Sequence, residues 1–256
     1  MRFSVLGSGS RGNSVYIESG KTGILIDAGF SGKELGARLK SIGRELASVK
    51  ALCITHEHTD HICGAGVLSR RGKIPTYING ETYLAGEKKI GKLFSLREFA
   101  TGDMLQIGDL QVRSFRVSHD TADPVGYVVS DDRVSLGYCT DTGKVSHLIG
   151  RRLAACNGLI LEFNHNLQML KNGPYPLPLQ QRVRSSRGHL CNEDAAEFLS
   201  QLMGDHLRLV VLAHLSETNN RPDLARQAAL RFVKQWNATE LLVALQDQAT
   251  GLLDLK

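Results

Sequence analysis

No long hydrophobic run is present in the 256 residues. Apolar stretches such as 207–215 break off within about ten residues, against the roughly 20 a bilayer span requires, so no membrane partner is expected. The segment from Met1 to Ser8 has too short an apolar run for a secretory signal, which points to the cytoplasm. The five cysteines, Cys53, Cys63, Cys139, Cys156 and Cys191, contain no C-x-x-C pair and are odd in number. That argues against a disulfide scaffold and for a reducing compartment with buried free thiols. Charge of one sign is also missing: 31 Lys and Arg against 26 Asp and Glu leave only +5. A polyanionic partner is compatible with this excess but not required by it. Three of the six prolines fall in one loop, Gly173-Pro174-Tyr175-Pro176-Leu177-Pro178. With no linker-like composition and no tandem repeat, residues 1–256 read as a single domain.

What is there alternates. Apolar runs at 3–7, 14–18, 23–27, 51–55 and 75–78 read as strands. Residues 31–39 read as a helix with Ser31 as N-cap and Glu34 as its partner. Residues 61–71 read as a second helix, closed by Gly72. From 99 to 138 the pattern is nearly all β, with 125–129 and 134–138 flanking the turn Ser130-Asp131-Asp132-Arg133. The last third gives strands at 158–162, 207–213 and 240–244 and helices at 192–202, with Asn192 as N-cap, and at 222–236. The fold class is α/β, with mixed sheets covered by helices.

The strongest chemical signal is Thr55-His56-Glu57-His58-Thr59-Asp60-His61, directly after a strand. Three histidines and two acids in six positions are costly to bury without a purpose. In an extended segment residues i and i+2 point the same way, so His56 and His58 can offer imidazoles to one metal ion. If the chain then turns helical, Asp60 and His61 swing towards a second ion. Ions roughly 3.5–4 Å apart can clamp both attacking and leaving oxygens.

This motif resembles the signature of the metallo-β-lactamase fold, an αββα sandwich of two mixed β-sheets flanked by helices. The resemblance implies further roles in chain order. Asp27, ending Ile24-Leu25-Ile26-Asp27, would brace the histidine loop. His119 would complete the first metal site, Asp141 would bridge, and His214 would complete the second. Two divalent ions, Zn or Mn and with less support Fe, would generate a hydroxide nucleophile oriented by Asp60.

The chain is also similar, more narrowly, to the YycJ/WalJ subfamily. The carrying segments include Leu6-Gly7-Ser8-Gly9-Ser10-Arg11-Gly12-Asn13-Ser14, Glu162-Phe163-Asn164-His165-Asn166, Arg187-Gly188-His189-Leu190-Cys191-Asn192 and His214-Leu215-Ser216-Glu217-Thr218-Asn219-Asn220. That resemblance implies a 5′-to-3′ exonuclease on double-stranded DNA. Asn166 replaces an Asp, and Cys191 a Ser, of the subfamily pattern. Residues read as substrate contacts are Asn13, in a turn whose N–H groups could meet a phosphate, then His189, Asn164, His165 and Arg187. Arg182, Arg184 and Arg187 read as a basic loop, and Tyr175 as an aromatic able to stack on a base. The alternative on the same fold is a small-molecule hydrolase cleaving a thioester or lactone. Asp141 stands where a β-lactamase proper would carry cysteine. A binding module with a purely structural metal is a third reading. The roughly 70 residues from Asp141 to His214 leave no room for the extra domain of RNA-processing relatives.

Overall fold

The computed structural model describes residues 1–233 and 239–256. Among them are two seven-stranded sheets. In the first, β1 (Arg2–Gly7), β2 (Ser14–Ser19) and β3 (Thr22–Ile26) run antiparallel. β4 (Val49–Cys53), β5 (Pro75–Asn79) and β6 (Ser95–Phe99) then extend β3 in parallel. The second sheet repeats this plan. β7 (Met104–Ile107), β8 (Leu110–Arg116), β9 (Val125–Ser130) and β10 (Ser135–Cys139) are antiparallel. β11 (Gly158–Glu162), β12 (Leu209–Ala213) and β13 (Glu240–Val243) follow β10 in parallel. The last strand, β14 (Leu253–Asp254), returns to pair with β1.

The sheets stack face to face because their strands are apolar on both sides. Ile24 and Ile26 of β3 and Val211 and Ala213 of β12 meet between the sheets. Leu25 and Leu52 point the other way, under α1 (Gly32–Ser41), α3 (Ala65–Gly72) and α4 (Gly80–Ile90), with the one-turn α2 (Thr59–Ile62) between α1 and α3 in sequence. Val210 and Leu212 likewise point outward, under α5 (His147–Leu153), α8 (Asn192–Leu202) and α9 (Pro222–Phe232). Period-2 alternation thus feeds three apolar layers from two sheets, which is the αββα sandwich. The short helices α6 (Leu167–Asn172) and α7 (Leu177–Val183) lie between β11 and α8 in sequence.

Several local expectations need correction. The helix expected over 61–71 is two helices, α2 and α3, because the Gly64 N–H bonds the Ala28 carbonyl at 2.8 Å, outside any helix. Lys73 at φ 52°, rather than Gly72, caps α3. The N-cap of α8 is Cys191, whose sulfur accepts from the Asp194 N–H at 3.4 Å, not Asn192. The proline-rich stretch is no simple loop: Pro176 is the N-cap of α7, and Arg182 sits on that helix. The helix expected over 222–236 ends at Phe232, with Val233 already extended, and positions 234–236 lie outside the described residues. Four of the five cysteines are buried and all are free, as expected.

Candidate metal centre

All the clustered polar residues follow the carboxyl ends of strands, where α/β sheets place their ligands. Asp27 follows β3, His56 to His61 follow β4, His119 follows β8, Asp141 follows β10 and His214 follows β12, while Glu162 closes β11. Asp27, Asp141 and His214 have φ of 60°, 56° and 55°, a left-handed conformation disfavoured for any side chain. Among the described residues only Lys73 shares it outside glycine. Strain of this kind persists where the surroundings over-determine the backbone.

The histidine loop is docked by main-chain bonds onto the turns after β1 and β3. Asn13 N–H donates to the Asp60 carbonyl, Ala28 N–H to His61, and Gly64 N–H to Ala28, each at 2.8 Å. Contact is close enough to require glycine. A Cβ on Gly29 would lie 1.7 Å from the Asp60 carbonyl oxygen, and one on Gly64 2.0 Å from that of Phe30.

Hydrogen bonds then orient the rings. Asp27 accepts from the Thr55 N–H, the Thr55 hydroxyl and His61 Nδ1 at 2.8, 2.8 and 2.7 Å. With its proton given to Asp27, the Thr55 hydroxyl accepts from His56 Nδ1 at 3.0 Å. His119 Nδ1 meets the Gly188 carbonyl at 3.0 Å, and His214 Nδ1 the Glu162 carboxylate at 3.2 Å. These partners accept, so in four histidines Nδ1 carries a proton and the ring is held with Nε2 turned into the cluster.

Those Nε2 atoms converge. The rings of His56, His58 and His119 stand 4.9, 4.9 and 5.1 Å apart, edge to face. Asp60, His61 and His214 form a second group, with Asp60 Oδ2 3.4 Å from His61 Nε2 and 3.7 Å from His214 Nε2. Asp141 reaches both groups: its oxygens lie 3.8 Å from His119 Nε2, 3.5 Å from His61 Nε2 and 3.4 Å from His214 Nε2. Buried polar atoms seldom lack a partner, yet His56 Nε2, His214 Nε2 and Asp141 Oδ2 all do. Unpaired imidazole nitrogens and a carboxylate oxygen are the donor set of a zinc-like cation, so these residues fit a metal.

Burial and the clustered carboxylates pull these rings in opposite directions. Burial pushes the His56 imidazolium well below its usual range, helped by His61. Burial also opposes a charge on His61, but Asp141, Asp60 and Asp27 outweigh it and hold that ring's value well above the ordinary one. At His214 burial is likewise outweighed, by Asp141, Asp60 and Glu162, which push it up to about 10. Asp141 is held well below the carboxylate range, because His214, His61, His56 and His119 overcome its burial.

The sequence and the fold are similar to those of known proteins. A family model described as the beta-lactamase superfamily domain matches residues 22–215. The chain belongs to the metallo-β-lactamase superfamily. It is 39% identical over 237 residues to an exodeoxyribonuclease, YycJ, of Bacillus anthracis, covering 92% of this chain and 90% of that one. It is 39% identical over 238 residues to an exodeoxyribonuclease, WalJ, of Streptococcus pneumoniae, covering 91% and 88%. The metallo-β-lactamase fold protein YhfI of Bacillus subtilis superposes with a TM-score of 0.75 at 17% identity, over 97% of this chain and 98% of that one.

In this member of the superfamily the residues expected to touch substrate divide. His189 and Asn164 border a cleft of about 290 Å³ together with His58, Asp60, His119 and His214. Asn13 does not. It is 1% exposed, and its amide donates to Asp60 Oδ2 at 3.1 Å, so it positions a carboxylate. The N–H groups of Gly9, Arg11, Gly12 and Asn13 are all taken up within the protein, which leaves Ser10 as the part of the expected phosphate turn that faces the cleft. His165 is 1% exposed, which leaves no surface for a substrate, and both its ring nitrogens are unpartnered. Arg187 is exposed and donates to the His119 carbonyl at 3.3 Å. Asn166 and Cys191, the two departures from the subfamily pattern, are the N-caps of α6 and α8.

Glu162 is the residue the sequence reading missed. It is fully buried, holds His189 Nδ1 at 2.7 Å and His214 Nδ1 at 3.2 Å, and accepts the Thr142 and Leu190 N–H groups at 3.0 and 3.1 Å. Those partners, His189 foremost, outweigh its burial and bring it down to about 2. Its signal was available: a carboxylate ending the otherwise apolar strand Gly-Leu-Ile-Leu-Glu must have buried partners.

Proposed function

We propose that the protein is a metal-dependent phosphodiesterase that degrades double-stranded DNA from the 5′ end. The observation that carries this reading is the buried cluster of unpaired metal donors at the floor of a cleft, in a chain 39% identical over most of its length to exodeoxyribonucleases. His56, His58 and His119 would hold one divalent ion and Asp60, His61 and His214 a second, with Asp141 shared. Zinc or manganese suits this mixture of imidazoles and carboxylates. When bound, such ions supply the Lewis acidity that activates water and neutralises phosphoryl charge.

The protein's own groups do the rest. Asp60, braced by Asn13, orients the attacking water. Glu162 fixes His189 through Nδ1, so that the ring, once doubly protonated, can hand the Nε2 proton to the departing oxygen. Asn164, whose amide donates to the His214 carbonyl at 3.0 Å, keeps its position at the cleft wall. The 5′-to-3′ polarity and the preference for duplex DNA follow the subfamily resemblance.

Digestion of linear duplex DNA labelled at the 5′ or the 3′ end, with Mn²⁺ or Zn²⁺, tests this reading. Mononucleotides should be released at once from the 5′ label by the intact protein, and at least 100-fold more slowly by a folded His56→Ala variant, given the roughly 2.7–4 kcal/mol at stake when one electrostatic catalyst is removed. Equal digestion by the two proteins would sink it. No digestion by a metal-loaded sample would turn attention to thioesters and lactones.

A further inference from the structure

One wall of the cleft is unlike the rest. The floor and far side are polar, with Asp60, Asn164, His189, Ser216 and Asn219. The near side is α7 and the turn before it, where Tyr175, Leu179 and Val183 border the same cleft. Leu179 and Val183 are one turn apart on α7, and Tyr175, in the turn before it, lines the cleft with them. No residue of α7 is buried, although its sequence is Leu-Pro-Leu-Gln-Gln-Arg-Val. An apolar stripe normally faces a core. This one faces the metal cluster.

The stripe is held rigidly. Pro174 and Pro176 flank Tyr175, and Pro178 follows in the first turn of α7. Gln180 Nε2 donates to the Tyr175 carbonyl at 2.9 Å. Arg182, on the next turn, is paired with Asp120 beside His119 at 2.5 Å. The phenol ring itself stacks on no other ring, and its hydroxyl makes no hydrogen bond among the described residues. Between two prolines the backbone at Tyr175 has little conformational freedom left to lose when something covers the ring.

We infer that Tyr175, with Leu179 and Val183, is the seat of the nucleobase of the nucleotide being removed. The inference rests on the nuclease reading above and adds what the cleft does with the base. The occupant must be anionic on one side and flat and apolar on the other, and a nucleotide with its phosphate over the cluster has that shape. Stacking accepts any base, because every base presents a π-face. A cleft of about 290 Å³ has room for one nucleotide.

The test compares a linear duplex ending in a 5′ adenine nucleotide with one ending in an abasic tetrahydrofuran residue, for the intact protein, Tyr175→Ala and Tyr175→Phe, all with Mn²⁺. The intact protein and Tyr175→Phe should favour the adenine end by roughly tenfold or more in kcat/KM. Tyr175→Ala should lose that preference and cut the two ends at equal rates. In a second measurement, 2-aminopurine at the 5′ end should be quenched on binding to His56→Ala, and not to the His56→Ala/Tyr175→Ala double variant. An undiminished preference for adenine in Tyr175→Ala, or equal quenching by both proteins, overturns the inference. If the intact protein digests neither duplex, it is the nuclease reading that falls, and the quenching alone decides whether the seat exists.

Discussion

Glu162 ties together two histidines that border the cleft, one ring partly exposed and the other buried in the cluster. Its four hydrogen bonds all come from donors, two rings and two main-chain N–H groups. An amide cannot accept from all four. Glu162→Gln should therefore cost about 1–3 kcal/mol of stability and weaken metal binding roughly 10- to 100-fold. Urea unfolding of the metal-free protein and calorimetric titration with Zn²⁺ would measure both, and unchanged affinity would refute the bracing role. At this scale the site was largely legible. The spacing of His56, His58, Asp60 and His61 after a strand foretold two groups of donors, and those groups are brought together. What could not be read was direction. Asn13 and His165 are polar residues in motif-like segments, yet packing turns one towards Asp60 and encloses the other. Sequence shows which residues are costly to bury, but only the fold shows which of them reach the surface.

Among the elements, the central strands were legible because they are apolar on both faces, and the helices with full amphipathic turns were mostly so. Short helices were not. α5, α6 and α7 have 7, 6 and 7 residues, fewer than the period needs to declare itself. At α7 the prolines suggested a loop, whereas proline at an N-terminus starts a helix. The hairpin between β9 and β10 was foreseen and carries its own pH dependence. Asp131 in its turn accepts from the Ser19 hydroxyl at 2.7 Å and from the N–H groups of Arg133 and Val134 at 3.0 and 2.9 Å. Burial alone would raise its pKa, but these bonds, Ser19 first, bring it down to about 2. A carboxyl depressed on folding stabilises above its unfolded value of about 4, and that stability is lost as pH falls through its folded one. Asp131→Asn should cost about 2 kcal/mol or less at pH 7, and the gap to the unaltered protein should close between about pH 4 and pH 2. Urea midpoints across that range would show it, and a gap that persists at pH 2 would refute the assignment.

For the molecule as a whole, the cluster lies on the seam between the two sheets. The first sheet supplies Asp27 and the residues from His56 to His61, and the second supplies His119, Asp141, Glu162 and His214. A metal held from both sides is a cross-link that the unfolded chain lacks. With free metal at 100 to 1,000 times its Kd the folded state should gain about 3–4 kcal/mol, or roughly 6–16 °C in Tm for a domain of this size. Scanning calorimetry before and after chelation tests this, and an unchanged Tm would show that the halves are not bridged. The order of the donors along the chain has a consequence for synthesis. Asp27 to His61 emerge from the ribosome first, His119 and Asp141 midway, and His214 only after β12, while β14 closes onto β1 at the very end. A half-made chain owns half a cluster. The full set of donors thus cannot be assembled before translation has passed His214.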